Sequence, residues 1–265
     1  MSLAECKGHT GPMVSPPHPS VQYFDSWYAD MGASPVKDAI MQRHLGLPPH
    51  LLSTSLLPWS GIDEACLFLD LSAGDTLLDL ACGRGGYGLE ISSRTCARVV
   101  GVDFSVEAVR QAREHARQLG RPASFLVGDI AATGLDTGSV NAVLCLDSVQ
   151  FADPPEAAYA EIRRVLVRGG RVMLTCWEPL DRGAELLPER LRRVDLAAGL
   201  ASAGFSDVET RERRDWRSME RAMWEEAVAL DSGDDPALRS FRDEGVRSLE
   251  TFHLVRRVVA TATAP

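Results

Sequence analysis

A chain of 265 residues that is 45% hydrophobic and 25% charged has the composition of a folded globular protein, long enough for one α/β domain with appended helices. No apolar run approaches the roughly 18 residues of a transmembrane helix, so no membrane partner is expected. A formal charge of −9, with basic residues interleaved among acids, argues equally against a nucleic-acid surface.

Residues 1–20 carry Pro12, Pro16, Pro17 and Pro19 and read as a disordered tail; they lack the apolar core of a signal peptide, so a cytoplasmic location is expected. The six cysteines form no C-x-x-C pair, so neither a disulfide framework nor a metal site is expected. Residues 21–60 read as a helical N-terminal lid. Order begins near Tyr23, and Ser34-Pro35 opens a helix that Gly46 and Pro48 stop after Leu45.

From residue 61 to 178 apolar strands alternate with amphipathic helices, the pattern of a doubly wound, Rossmann-like parallel sheet. Strand 77–80 leads to a helix from Gly86. Strand 98–102 leads to a helix capped by Ser105, with Val109, Ala112, Ala116 and Leu119 on its buried face and Gly120 at its end. Strands 124–127, 140–146 and 171–176 follow. Between the last two, Asp153 caps a helix with prolines in its first turn, which Gly169-Gly170 closes. Residues 179–265 complete a seven-stranded sheet: a helix from Pro188 to Ala203, a strand from Ser206 to Arg213, a helical cap over about 215–250, and a final strand from Thr251 to Thr261.

Chemistry concentrates in Leu77–Gly86, LLDLACGRGG, where a strand carrying Asp79 breaks into a glycine loop. Such loops aim N–H groups and a helix N-terminus at an anion, but a fixed carboxylate beside one repels a pyrophosphate. It favours a ligand that joins an ammonium or sulfonium group to its own carboxylate. Further acids fall at strand ends: Asp103, about 20 residues beyond the loop and suited to two ribose hydroxyls, then Asp129 and Asp147. Phe104 can lie against an adenine face.

The series LLDLACGRGG, VVGVDFS, FLVGDI, AVLCLDSVQF and GGRVMLTCW resembles the successive motifs of the class I S-adenosylmethionine-dependent methyltransferases, in their small-molecule branch. The likeness covers Ile62 to Trp177. It implies that S-adenosylmethionine is bound, with Asp79 and the Ala81, Cys82 and Gly83 loop on its methionine end. Asp103 and Phe104 would follow along the nucleoside, Asp129 and Ile130 would hold the adenine, and a Leu146 carbonyl the amino group. Ala81 stands where the family pattern has its first glycine. The run Gly83 to Gly88 also fits G-x-G-x-x-G, so an NAD(P)-dependent oxidoreductase is a competing reading, opposed by Asp79 and Asp129.

The expected reaction is in-line methyl transfer to O, N or C of a small molecule, driven by alignment at about 3 Å. Arg- and Ala-rich composition points towards bacterial specialised metabolism. The acceptor side offers Gln150, Asp147 and Tyr23, while Tyr28 joins Tyr23 in a YFDSWY segment that resembles a donor-covering lid. His44, His50 and His253 are further base candidates, and Trp59, Trp177, Trp216 and Trp224 candidates for an apolar pocket. Arg84 reads as a solvated loop residue. With no histidine after the fourth strand, a donor-binding protein that does not methylate, a cyclase or a partner subunit, stays open, as does a homodimer.

Overall fold

Every residue of Thr76–Leu80, β1, is buried, because this strand lies in the middle of a sheet covered on both faces. The computed structural model describes residues 20–265; the tail expected over residues 1–20 lies, but for Ser20, outside them. The sheet has seven strands in the order β3-β2-β1-β4-β5-β7-β6, formed by β1, β2 (Arg98–Asp103), β3 (Ala123–Val127), β4 (Val140–Leu146), β5 (Leu166–Pro179), β6 (Ser206–Glu212) and β7 (Val255–Thr263). The first five run parallel, whereas β7 is antiparallel to both β5 and β6. The chain winds outward from β1 to β3 and then returns to β4. The crevice beyond the carboxyl ends of β1 and β4 is therefore the topological switch point where such sheets bind ligands.

Strand alternation divides the core. Leu77, Val99, Leu144, Met173 and Val259 face one side, against helices including α3 (Trp59–Leu69) and α4 (Gly86–Thr95). Leu78, Leu80, Val102, Val143 and Leu174 face the other, against α6 (Pro155–Val165) and α8 (Leu196–Ser202). α2 (Pro35–Leu45) and α5 (Val106–Gln118) start as their sequences dictate. Ser34 Oγ accepts from the Lys37 N–H at 3.3 Å and Ser105 Oγ from the Ala108 N–H at 3.1 Å. α1 (Val21–Asp30) forms the lid, and α9 (Arg214–Ala229) and α10 (Pro236–Thr251) form a helical cap inserted before the last strand. Ser34 Oγ also donates to Asp235 Oδ2 at 2.5 Å, so the caps of α2 and α10 bind each other and tie α2 to the helical cap.

Several expected boundaries are corrected. Asp153 does not cap α6; Pro154 occupies that position and Asp153 faces Arg193 at 3.5 Å. Gly169-Gly170 lies inside β5, not at a helix end, since α6 stops at Val165. The helix expected over 188–203 is two pieces, α7 (Glu189–Arg192) and α8, because Asp195 caps a new start by accepting from the Ala198 N–H at 2.9 Å. α10 runs through Thr251, so β7 begins at Val255. Leu119 is 44% exposed, and His115 takes the buried position on α5 instead, its ring nitrogens against the carbonyls of Arg84 (3.1 Å) and His50 (2.8 Å).

The glycine loop packs without room to spare. A Cβ at Gly86 would stand 1.7 Å from the Leu51 carbonyl oxygen, which belongs to backbone and cannot rotate away. Gly86→Ala is therefore expected to destabilise the protein by about 3 kcal/mol, at the upper end for overpacking. Urea denaturation with an unchanged m-value would register it, and a loss below about 1 kcal/mol would show that residues 49–51 move aside.

Candidate active site

Asp79 is 3% exposed, and its carboxylate accepts one hydrogen bond, from the Gly88 N–H to Oδ2 at 3.1 Å. Burial, reinforced by the charge of Asp103 and only partly opposed by Gly88, pushes its pKa up to about 7. Asp103, at the end of β2, is equally buried but better satisfied. Oδ2 accepts from the Gly83 N–H at 2.8 Å and Oδ1 from the Ser105 N–H at 2.9 Å, so this carboxylate fastens the glycine loop to the start of α5. Its pKa is also raised by burial, against those two donors.

Between the acids, the loop adopts the conformation its glycines permit. Gly83 has φ +52°, and a Cβ there would stand 2.6 Å from Thr54 Oγ1 and 2.9 Å from the Tyr28 hydroxyl. Ala81 also has a left-handed backbone, φ +56°, at a strain cost of about 1 kcal/mol for a residue with a Cβ. Cys82 is buried, and its N–H donates to the Val102 carbonyl at 3.1 Å. Arg84 is not solvated as expected. It is 5% exposed, donating from Nε to the Leu52 carbonyl and from a terminal nitrogen to the Met31 carbonyl, both at 3.0 Å, which locks the loop to the lid.

The lid lies over this loop. Tyr28 is buried with its hydroxyl beside Gly83, and burial, then the charge of Asp103, raises its pKa. Phe24 sits 5.2 Å from the Phe104 ring and 5.4 Å from that of Phe151. Asp25 accepts from Ser105 Oγ at 2.5 Å and from the Glu107 N–H at 3.2 Å, pinning α1 to the first turn of α5. Asp129 is exposed beyond β3 and accepts from the Ala131 N–H at 2.8 Å; Ile130 packs partly into the core. The Leu146 carbonyl already accepts from Ser148 Oγ at 2.8 Å and Ser55 Oγ at 3.4 Å.

The acceptor side differs most from expectation. Asp147 does not face open space: its carboxylate is paired with both terminal nitrogens of Arg257, accepts from Thr175 Oγ1 at 2.7 Å and from the Leu56 N–H at 3.0 Å. Gln150 is engaged at both ends, Nε2 donating to the Asp147 carbonyl at 2.7 Å and Oε1 accepting from Cys176 Sγ at 3.0 Å, so it holds the strand ends together. Tyr23 is half-buried against Phe24, with ring centroids 5.4 Å apart. His50 and His253 are exposed and His44 pairs with Glu226 at 2.7 Å, all on other elements of the surface. Trp216 and Trp224 are fully packed in the core, and Trp59 stacks outward under Arg94, so these three do not line a pocket. Trp177 stays at the end of β5 beneath the Arg257 guanidinium, at 4.4 Å, and donates from Nε1 to Glu220 at 3.0 Å.

Reading the sequence alone passes over Arg257, Glu220, Phe24 and Thr54. Arg257 carried a signal: in the alternation of β7 it falls at an inward position, where an arginine requires buried carboxylates.

An acid and a glycine loop at the switch point, with a second acid 24 residues on, coincide with the region that matches a family of known proteins. Residues 77–170 match the model of a methyltransferase domain. Over those residues the chain carries a methyltransferase domain. The domain match replaces the dinucleotide reading of Gly83 to Gly88. The chain is 30% identical over 124 residues to the sterol 24-C-methyltransferase of Eremothecium gossypii, covering 46% of this chain and 33% of that protein. It thus spans about a third of the length of such relatives. Among solved structures, the fold is similar to the [4+2]-cyclase SpnF (TM-score 0.71, 20% identity, 94% of this chain and 98% of that one). It is also similar to phosphoethanolamine N-methyltransferase 2 of Haemonchus contortus bound to S-adenosyl-L-methionine (TM-score 0.73, 18% identity, 92% of this chain and 58% of that one). None of the described helices is long and apolar enough to cross a membrane.

Proposed function

We propose that the whole chain is a small-molecule methyltransferase that binds S-adenosylmethionine across the ends of β1 and β2 and its acceptor over the ends of β4 and β5. The carrying observation is Asp79, a buried carboxylate with one hydrogen bond and no counter-ion among the described residues, set beside a loop of N–H groups. A buried charge needs a partner. The ammonium and sulfonium groups of the donor satisfy Asp79 while the loop satisfies the donor carboxylate.

In this reading Ala81 and Gly83 bring backbone against the methionine end, and Asp103 receives the ribose hydroxyls on the lone pairs left by Gly83 and Ser105. Phe104 flanks the adenine, with Asp129 and Ile130 at its far edge, and Tyr28 closes the loop from above. The Leu146 carbonyl has two hydroxyl donors already and is given no contact. When bound, S-adenosylmethionine supplies an electrophilic methyl group. The protein aligns it and excludes water. Asp147 and Gln150 act by fixing the strand ends, which leaves Tyr23 as the acceptor-facing group of the three. Arginine- and alanine-rich composition supports an acceptor from bacterial specialised metabolism.

Calorimetry is expected to detect binding of S-adenosylmethionine and S-adenosylhomocysteine and none of NAD(H) or NADP(H); binding of a dinucleotide alone would overturn the proposal. Fold similarity to a cyclase over nearly its whole length is consistent with a second reading, a donor-binding protein that does not methylate. Donor binding without label transfer from methyl-labelled donor, across acceptors that the protein demonstrably binds, would select it.

A further inference from the structure

Lid and cap meet over the ends of β4 and β5, where α1 packs on α10, and α7 on β5 and on the turn at residues 149–151. Two arginines reach this place without the partners that other arginines of the same face have. Arg182 pairs with Asp195 at 2.5 Å, Arg193 with Asp153 at 3.5 Å and Arg256 with Glu178 at 2.7 Å. Arg190, on α7 between the first two, makes no ion pair with a described residue. Its guanidinium lies 5.5 Å from the Phe151 ring, and its Nε is buried with no hydrogen-bond partner among the described residues. Arg247 on α10 also makes no ion pair with a described residue, and its positive charge repels that of Arg190. Tyr23 of the lid lies within electrostatic range of Arg190.

The remaining charged groups there do not neutralise the pair. Glu244, one turn before Arg247, is half-buried, and its pKa is raised by burial, with Arg247 and Lys37 opposing and Asp147 reinforcing. Asp147 itself is committed to Arg257. The Arg190 guanidinium against the Phe151 ring, within electrostatic range of Arg247 in a protein with nine more acids than bases, forms a receptor for an anion.

We infer that Arg190 and Arg247 bind an anionic group of the acceptor, a carboxylate or a phosphate, and so hold its reacting atom beneath the lid. This rests on the proposal that the acceptor lies over β4 and β5. The unburied donors of each guanidinium form charge-assisted bonds with the anion, while Phe151 and Tyr23 contact the adjoining apolar part. Neither arginine enters the donor site, so the two sites separate experimentally.

The test titrates the full-length protein, saturated with S-adenosylhomocysteine, with inorganic phosphate, pyrophosphate and octanoate, followed by calorimetry. At least one probe is expected to bind, with affinity falling as salt rises, and the preferred probe distinguishes a phosphate from a carboxylate acceptor. Arg190→Gln and Arg247→Gln are each expected to weaken that probe at least tenfold, and their combination more than a hundredfold, with S-adenosylhomocysteine affinity unchanged within twofold. Arg190→Lys, which keeps the charge, recovers part of the loss. Absence of binding by all three probes, or equal affinity in the double variant, would overturn the inference. Should S-adenosylhomocysteine fail to bind, the donor proposal falls, and the same anions titrated into the unliganded protein decide the arginine pair alone.

Discussion

Asp79→Asn is expected to weaken S-adenosylmethionine binding by about a hundredfold or more, and at pH 8 to make the unliganded protein more stable than the parent. The first effect follows from removing one member of a buried charge pair, which costs about 2–5 kcal/mol where tenfold in affinity is about 1.4 kcal/mol. The second concerns the protein without donor. Asp79 has a pKa of about 7 in the fold against 3.8 for a free side chain, so the folded state holds a proton that the unfolded state has released between those values. Stability contributed by that proton is present in acid, declines as pH rises from about 4 to 7, and is gone above it.

Asn does not titrate, and its Oδ1 can still accept from Gly88. The stability gap between variant and parent should therefore open across the same interval and level off above pH 7. Urea denaturation at pH 5, 7 and 8 measures it, and a gap that is the same at all three would refute the assignment. Donor binding must re-ionise Asp79, so at pH 6 it should release up to one proton, visible as a dependence of binding heat on the buffer's ionisation enthalpy.

Arg257→Met is expected to destabilise the protein by about 3–5 kcal/mol. Arg257 is fully buried between Asp147, bound through both terminal nitrogens, and Glu220, whose Oε1 stands 2.8 Å from Nε. Burial pushes the Glu220 pKa up to about 7 even with this arginine opposing it. Methionine keeps an apolar stem against Trp177 but leaves two carboxylates in the interior, and the added change Glu220→Gln should recover part of the loss. Because these three residues join β4, β7 and α9, the variant should also loosen the cap, read as faster amide exchange in α9. Loss of less than about 1 kcal/mol would mean that the buried pair contributes little.

The parallel half of the sheet and the buried acids of β1 and β2 were legible because their signals are local. Leu77 and Leu78 beside Asp79, and Ser105 after Asp103, each fix a strand end or a cap within a few residues. α3 escaped notice because Pro58 starts it without a side-chain cap, and the break before α8 because Asp195, a good cap, lay within a pattern read as one helix. The role of Asp147 was illegible for a different reason. An acid at a strand end looks the same whether it faces a ligand or an arginine 110 positions later, and only β7, brought alongside β5, distinguishes them. The loop carbonyls that hold Arg84 were beyond reach in the same way.

Asp25 has a consequence for traffic through the molecule. The lid is latched to the first turn of α5 through Ser105, whose own N–H is held by Asp103, so the latch and the proposed seat of the ribose share one residue. Swinging α1 aside would break the bond on Ser105 Oγ, on the same residue as the backbone N–H that holds Asp103. If the donor sits as proposed, its departure and the opening of the door would draw on the same residue, and the helix over the site would set the rhythm of exchange.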